Sequence, residues 1–145
     1  MFYIITDISI NYETIKKMLQ KESKLGTADN TGVHHVKCIH VPKKKYASVG
    51  DLIDVVVKKF NLEKTIIKKQ IYYGLILTVK YKMYRKSGIF IKADLNKLVL
   101  LNKDNLKFLG TNISSPGFKE ILIFTKGKKK VLRYEKVVSC ISKLI

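Results

Sequence analysis

The 145-residue chain has no tryptophan, two prolines, two cysteines and only two arginines, Arg85 and Arg133. Cys38 and Cys140 stand far apart and form no C-x-x-C pair, so neither a zinc ribbon nor a redox motif is indicated, and a reducing compartment is the simplest reading. No run of about 18 apolar residues occurs, so no membrane-spanning helix and no membrane partner are expected. The opening "MFYIITDISINYETIKK" carries Asp7 and Glu13, without the arginine and serine richness of a transit peptide or the layout of a signal peptide. It fits a protein made in the compartment where it works. Neither G-x-G-x-x-G nor a P-loop is present, so a nucleotide-handling enzyme has no support.

Acidic residues are also scarce, 11 against 29 Lys+Arg, which leaves a net charge of +18. Such self-repulsion in a small domain is relieved by a polyanionic partner. The hydrophobic fraction of 46%, with 10% aromatic residues, is enough for a folded domain of this length, and one domain is expected. Lysines recur in nearly every segment and are not confined to one tail or one amphipathic helix. A basic surface on many sides fits folded RNA better than a membrane plane. With lysine in place of arginine, phosphate contact is favoured over bidentate base reading. The abundance of Ile, Lys, Asn and Tyr looks like the codon drift of an A+T-rich genome.

The stretch "ADNTGVHHVKCIH" gathers three histidines and a cysteine and raises the question of a metal site. Strand alternation puts His34, Val36, Cys38 and His40 on one face and His35, Lys37, Ile39 and Val41 on the other. At about 3.3 Å per residue, His34 and Cys38 are about 13 Å apart, so only Cys38 and His40 could share an ion. Two ligands do not make a zinc site. Cys38 is therefore read as core and the histidines as surface groups near RNA. Asp29, Asp51, Asp54 and Asp94 are read as turn or strand-start residues that bond backbone amides, and none stands in a nucleophile–base motif. No metal, cofactor or catalytic residue is expected.

Along the chain, "NYETIKKMLQKESK" spaces Ile15, Met18 and Leu19 for one face of a short helix. Strand-like runs follow: "VHHVKCIHV", "DLIDVVVKKF", "IYYGLILTVKYKMY", "GIFIKAD" and "KLVLLN". Five short strands at this spacing predict a small closed barrel. "GTNISSPGFKE" reads as a loop, "ILIFTKGKKKVLRY" as a hairpin turning at 126–129, and "YEKVVSCISKLI" as a helix with Val137, Val138, Ile141 and Leu144 on one face. The fold class is thus mainly β, a five-stranded β-barrel with a C-terminal hairpin and helical part and a short N-terminal helical extension. Residues 1–24 form the extension, 25–112 the barrel and 113–145 the C-terminal part.

Five basic clusters interrupt the apolar strands. They supply the candidate RNA-binding residues Lys43, Lys44, Lys45, Tyr46, Lys58, Lys59, Lys68, Lys69, Lys80, Lys82, Arg85, Lys86, Lys128, Lys129 and Lys130, joined by Lys119, His34 and His35. In "VKYKMYRK" alternation places Lys80, Lys82 and Tyr84 on one face and Tyr81, Met83 and Arg85 on the other. Each phosphate neutralised by such a surface releases counterions, so binding is tightest at low salt.

These residues carry a resemblance. "ADNTG" with "VKCIHV" behind it resembles the A-D-N-S-G-A-R-R-V opening and Cys-Ile strand of the universal large-subunit ribosomal protein fourteen (L-fourteen) family. "KYASVGDLIDVVVK" is similar to its R-Y-A-x-V-G-D-x-I segment, "GIFIKADLNKLVLLN" to its G-S-x-I-R-F-D-x-N-A-x-V-L-L-N segment, and "LGTNISSPGFKE" to its I-G-T-R-I-x-G-P-V-x-R-E-L segment. The ordered matches run from about Leu25 to Glu120. His34 and His35 stand where the family has two arginines, Ala93 replaces a Phe and Lys97 an Ala. The extension before Leu25 and about ten residues around 121–132 depart from the family pattern.

The resemblance implies a structural constituent of the large ribosomal subunit, not an enzyme. The implied partners are large-subunit rRNA, large-subunit proteins three and nineteen, small-subunit rRNA at an intersubunit bridge and a ribosome-silencing factor. The codon drift points to an organellar ribosome, the mitochondrial matrix ahead of a relict plastid. A free basic RNA-binding barrel, acting as an RNA chaperone or translation regulator, is the alternative from another class; it predicts exchange among many RNAs without fixed stoichiometry.

Overall fold

The computed structural model describes residues 19–42, 45–61, 70–122 and 135–145. Seven strands are formed: β1 (Lys24–Thr27), β2 (Val33–His40), β3 (Leu52–Phe60), β4 (Ile71–Thr78), β5 (Met83–Tyr84), β6 (Phe90–Ile91) and β7 (Lys97–Leu101), with one named helix, α1 (Glu135–Cys140). Five of them close a barrel in the order β1-β2-β3-β4-β7, and β5 and β6 form a separate two-stranded sheet. Neighbours run antiparallel except where the barrel closes, β1 against β7 in parallel through Gly26↔Lys97 and Thr27↔Leu98.

Period-two alternation builds the interior: Ile53, Val55 and Val57 of β3 are buried while Leu52, Asp54 and Val56 between them are partly exposed. In β4 and β7 alternation gives way to continuous burial, Gly74–Thr78 and Leu98–Leu101. Later chain bonds to both strands. Leu109 N–H donates to the Leu100 carbonyl at 3.2 Å and Phe118 N–H to the Leu77 carbonyl at 3.2 Å. Successive residues, which point to opposite faces, are all buried there, and the sequence reads as an unbroken apolar run. The C-terminal part adds Ile113, Phe118, Ile121, Val137 and Ile141 to the core, with bridges Ile113↔Ile141 and Gly117↔Leu144 tying its two ends together.

The expected five-stranded barrel is present, but two of its members differ from the sequence reading. β1, "KLGT", is a barrel strand that its own residues hardly announce, since a glycine and two polar residues surround one apolar Leu25. "GIFIKAD" lies outside the barrel, where Phe90 and Ile91 pair with Tyr84 and Met83. "IYYGLILTVKYKMY" is two strands. Asn96 Oδ1 accepts the Lys80 N–H at 2.7 Å and the Val79 carbonyl accepts the Ala93 N–H at 2.9 Å, which turns the chain out of the barrel into the hairpin.

Residues 19–24 of the expected N-terminal helix are not helical: Leu19 is buried and bridged to Ala47, Ser23 N–H turns back on the Gln20 carbonyl, and β1 begins at Lys24. The rest of that helix, up to residue 18, and the hairpin at 126–129 lie outside the described residues. The C-terminal helix ends at Cys140, with Val137 buried and Ile141 buried just beyond it.

Candidate nucleic-acid interface

β2 presents the histidines. Its pairing with β3 is irregular between Val33 and Val36 and again between Cys38 and His40. In the first, β2 takes an extra residue between Val33 and His35 and β3 takes one between Lys59 and Val57, so the register is restored at Val36, and His34 and His35 are both exposed instead of facing opposite ways. The second one separates Cys38, wholly buried, from His40, whose side chain is exposed. Strict alternation, which put His34, Val36, Cys38 and His40 on one face, is overturned here. The Cys38 thiol points to the His40 carbonyl at 3.8 Å, and burial raises its pKa to about 11. It is packed as core, away from any imidazole. Among the described residues no three His, Cys, Asp or Glu groups converge to hold a metal, and no helix is long and apolar enough to cross a membrane.

The histidines sit at one end of the β2–β3 ladder beside Lys58 and Lys59. His35 is the register partner of Lys59, His34 Nε2 lies 3.0 Å from Asn61 Oδ1, and Asn61 N–H donates to the Gly32 carbonyl at 2.8 Å. Gly32 holds φ of 82°, a left-handed value suited to glycine, at the turn that launches β2. Two histidines and two lysines, all exposed, therefore share one rim.

The β5–β6 hairpin carries a second patch. Lys80, Lys82 and Tyr84 are exposed while Tyr81 is buried and Met83 and Arg85 are partly buried, the alternation expected from the sequence. Lys86 is exposed near the turn, and Lys92 is exposed just after β6. Arg85 is held within the protein: Nε donates to Glu120 Oε1 at 2.7 Å, and Nη2 donates to Glu120 Oε2 at 3.2 Å and to the Ile145 main-chain oxygen at 2.7 Å. Each partner stabilises the other's charge, which raises the Arg85 pKa and lowers that of Glu120. Lys119, next to Glu120, is exposed.

Lys45 is exposed, with its ammonium 5.6 Å from the ring centre of the half-buried Tyr46. Lys43, Lys44, Lys68, Lys69, Lys128, Lys129 and Lys130 lie outside the described residues. Two cations not singled out from the sequence belong in this account. Lys92 joins the hairpin patch by following β6 directly, a position that the "SG" turn between the two runs would have signalled. Lys103 lies 3.9 Å from Asp54, and its ammonium is 5.7 Å from the centre of the Tyr73 ring.

Carboxylates near these surfaces serve as fasteners. Asp29 Oδ2 accepts the N–H of buried Leu100 at 2.8 Å, and Oδ1 accepts from the Thr31 amide and hydroxyl, locking the "ADNTG" turn onto β7. Asp51 Oδ2 accepts the Ser48 amide at 2.9 Å and hydroxyl at 3.1 Å in the turn before β3. Asp54 departs from the expected turn role: it is the third residue of β3 and sits 3.4 Å from His40 Nδ1 as well as beside Lys103. Asn30 Oδ1 likewise accepts the Thr111 N–H at 2.9 Å, fastening the turn to "GTNISSPG".

The pairing of "ADNTG" with "GTNISSPG", two segments 80 residues apart joined by side chain–backbone bonds, explains why both segments are distinctive. The family model described as ribosomal protein L14p/L23e matches residues 18–144, a span that takes in every described strand, the hairpin and α1. The chain belongs to the ribosomal L14p/L23e family, whose members are structural, rRNA-binding constituents of the large ribosomal subunit.

Proposed function

We propose that this member of the family serves a mitochondrial ribosome, where it is gripped by large-subunit rRNA and reaches small-subunit rRNA across an intersubunit bridge. The observation that carries the reading is the placement of exposed basic residues on separate elements: the rim of Lys58 and Lys59 beside His34 and His35, the hairpin with Lys80, Lys82 and Lys86, and Lys45 and Lys119 beyond them. A surface basic on several sides suits a protein wedged among RNA segments, since each neutralised phosphate adds a counterion-release contribution. Lysine dominates over arginine, which favours backbone positioning in one architecture over selection among sequences. Large-subunit proteins three and nineteen are the neighbours that the family resemblance implies, and a ribosome-silencing factor is a candidate for the bridge-facing side.

Support for the organelle comes from composition, the A+T-type bias toward Ile, Lys, Asn and Tyr. Protease protection of purified organelles tests it. The protein is expected to be protected with mitochondrial matrix markers, whereas recovery with a plastid marker or in the cytosol would overturn the assignment. The bridge predicts cross-links to small-subunit rRNA in joined ribosomes that vanish in free large subunits. Equal cross-linking in both would remove it.

A further inference from the structure

The β5–β6 hairpin exposes more apolar surface than its packing requires. Its inner side chains, Met83 and Ile91, rest against the core, and Arg85 is clamped to Glu120, so the hairpin is held in place. Its outer face nevertheless leaves Tyr84 61%, Ile89 63% and Phe90 48% exposed. Tyr84 and Phe90 are register partners, with ring centroids 6.2 Å apart and planes tilted by 54°, so neither ring covers the other. The Lys82 ammonium sits 4.7 Å from the Phe90 centroid. Residues 80–93 contain five cations and no carboxylate, and Glu120 neutralises only Arg85 among the five.

We infer that this face is a stacking platform for an unpaired rRNA base, with Tyr84 as the stacking ring, Phe90 as its buttress, and Lys82 and Lys92 holding the flanking phosphates. The inference rests on the rRNA-binding role and specifies one subsite of it. Two physical features select RNA over a protein partner. Lysine is depleted from the centres of protein–protein interfaces, yet here Lys82, just before β5, lies over the Phe90 ring, and exposed Lys92 follows β6 directly. Aromatic rings set among cations are what single-stranded nucleic acid uses, because any base offers a π-face and the backbone beside it offers charge. Gly88, at φ of 81° with open space around it, makes the turn without adding a side chain beside the rings.

The absence of tryptophan supplies a reporter. In full-length protein carrying Tyr84→Trp, fluorescence is followed during titration with a twelve-residue oligoadenylate RNA and with an abasic strand of equal length and charge. The oligoadenylate is expected to quench the indole and to bind more tightly than the abasic strand. In the otherwise unaltered chain, Tyr84→Ala with Phe90→Ala should weaken oligoadenylate binding at least about tenfold while leaving the abasic strand unaffected, and Tyr84→Phe should restore it. Equal affinity for both strands, unmoved by the alanine pair, overturns the platform and leaves the phosphate-binding surface intact. Failure of both strands to bind at low salt overturns the RNA-binding reading itself and the platform with it. In assembled large subunits, a benzoylphenylalanine at position 89 should cross-link to rRNA, and capture of protein alone overturns the inference in favour of a protein-docking face.

Discussion

Replacing Glu120 with Gln keeps the shape of the Arg85 partner and removes its charge, which isolates what the ion pair contributes to anchoring the hairpin. The Glu120 and Arg85 side chains are 18% and 29% exposed, and they share bonds of 2.7 and 3.2 Å. A hydrogen bond to a charged group contributes about 1.5–3 kcal/mol when shielded, and an exposed pair about 0–1 kcal/mol. This partly shielded fork should fall between, with a coupling of about 1–2 kcal/mol. A double-mutant cycle of Glu120→Gln, Arg85→Met and the double variant, read from urea midpoints at constant m-value, measures it. Acid gives a second reading. Arg85 lowers the Glu120 pKa below its ordinary 4.5, so the folded state holds the proton less tightly than the unfolded state. The stabilisation is complete above pH 4.5 and is lost as pH falls through the lower folded-state value. The gap between the unaltered protein and Glu120→Gln should therefore close on acidification. A coupling under about 0.3 kcal/mol, or a gap indifferent to pH, would refute the anchoring role.

Further predictions follow from the same geometry. Asp29→Ala strips the acceptor from the buried Leu100 amide and from Thr31, and should lower stability by about 2–4 kcal/mol in urea; a loss under about 1 kcal/mol would contradict the fastening role. Gly110→Ala brings a methyl to 2.8 Å from Phe108 Cζ and 2.9 Å from Asn30 Oδ1, and should reduce stability by about 1–3 kcal/mol on the same assay. Iodoacetamide at pH 8 should spare Cys38 in the folded protein, because its thiol is buried with a pKa near 11, and label it only after unfolding; rapid native labelling would argue against a closed barrel. Lys80→Gln, Lys82→Gln and Lys86→Gln should each reduce the salt slope of RNA binding by about 0.7–0.9, whereas Arg85→Gln should leave it nearly unchanged.

What could be read in the chain depended on how local its cause was. Exposure along residues 80–85 followed strand alternation because the hairpin has one face on the core and one in solvent. The apolar β3, β4 and β7 likewise announced themselves. β1 did not, because "KLGT" is made a strand by β2 and β7 on either side of it, contacts between residues 70 apart in the case of β7. Leu19 showed helical spacing with Ile15 and Met18, and pairing with Ala47 claimed it for the core instead. The bulge that turns out both histidines carries no compositional mark. For the candidate interface, lysine clusters were visible as clusters, but the diversion of Arg85 depended on Glu120, 35 residues later. Tyr84 and Phe90 gained meaning as a pair only through their register.

Sucrose-gradient sedimentation of a lysate from purified organelles, with mass spectrometry of this chain across fractions at low and moderate salt, tests the central claim most directly. The account predicts that the protein follows the large subunit and the joined ribosome in a constant ratio to other large-subunit proteins, and stays there at moderate salt. Recovery at the top of the gradient, or binding scattered over many RNAs without fixed stoichiometry, would contradict it and favour a free RNA-binding barrel.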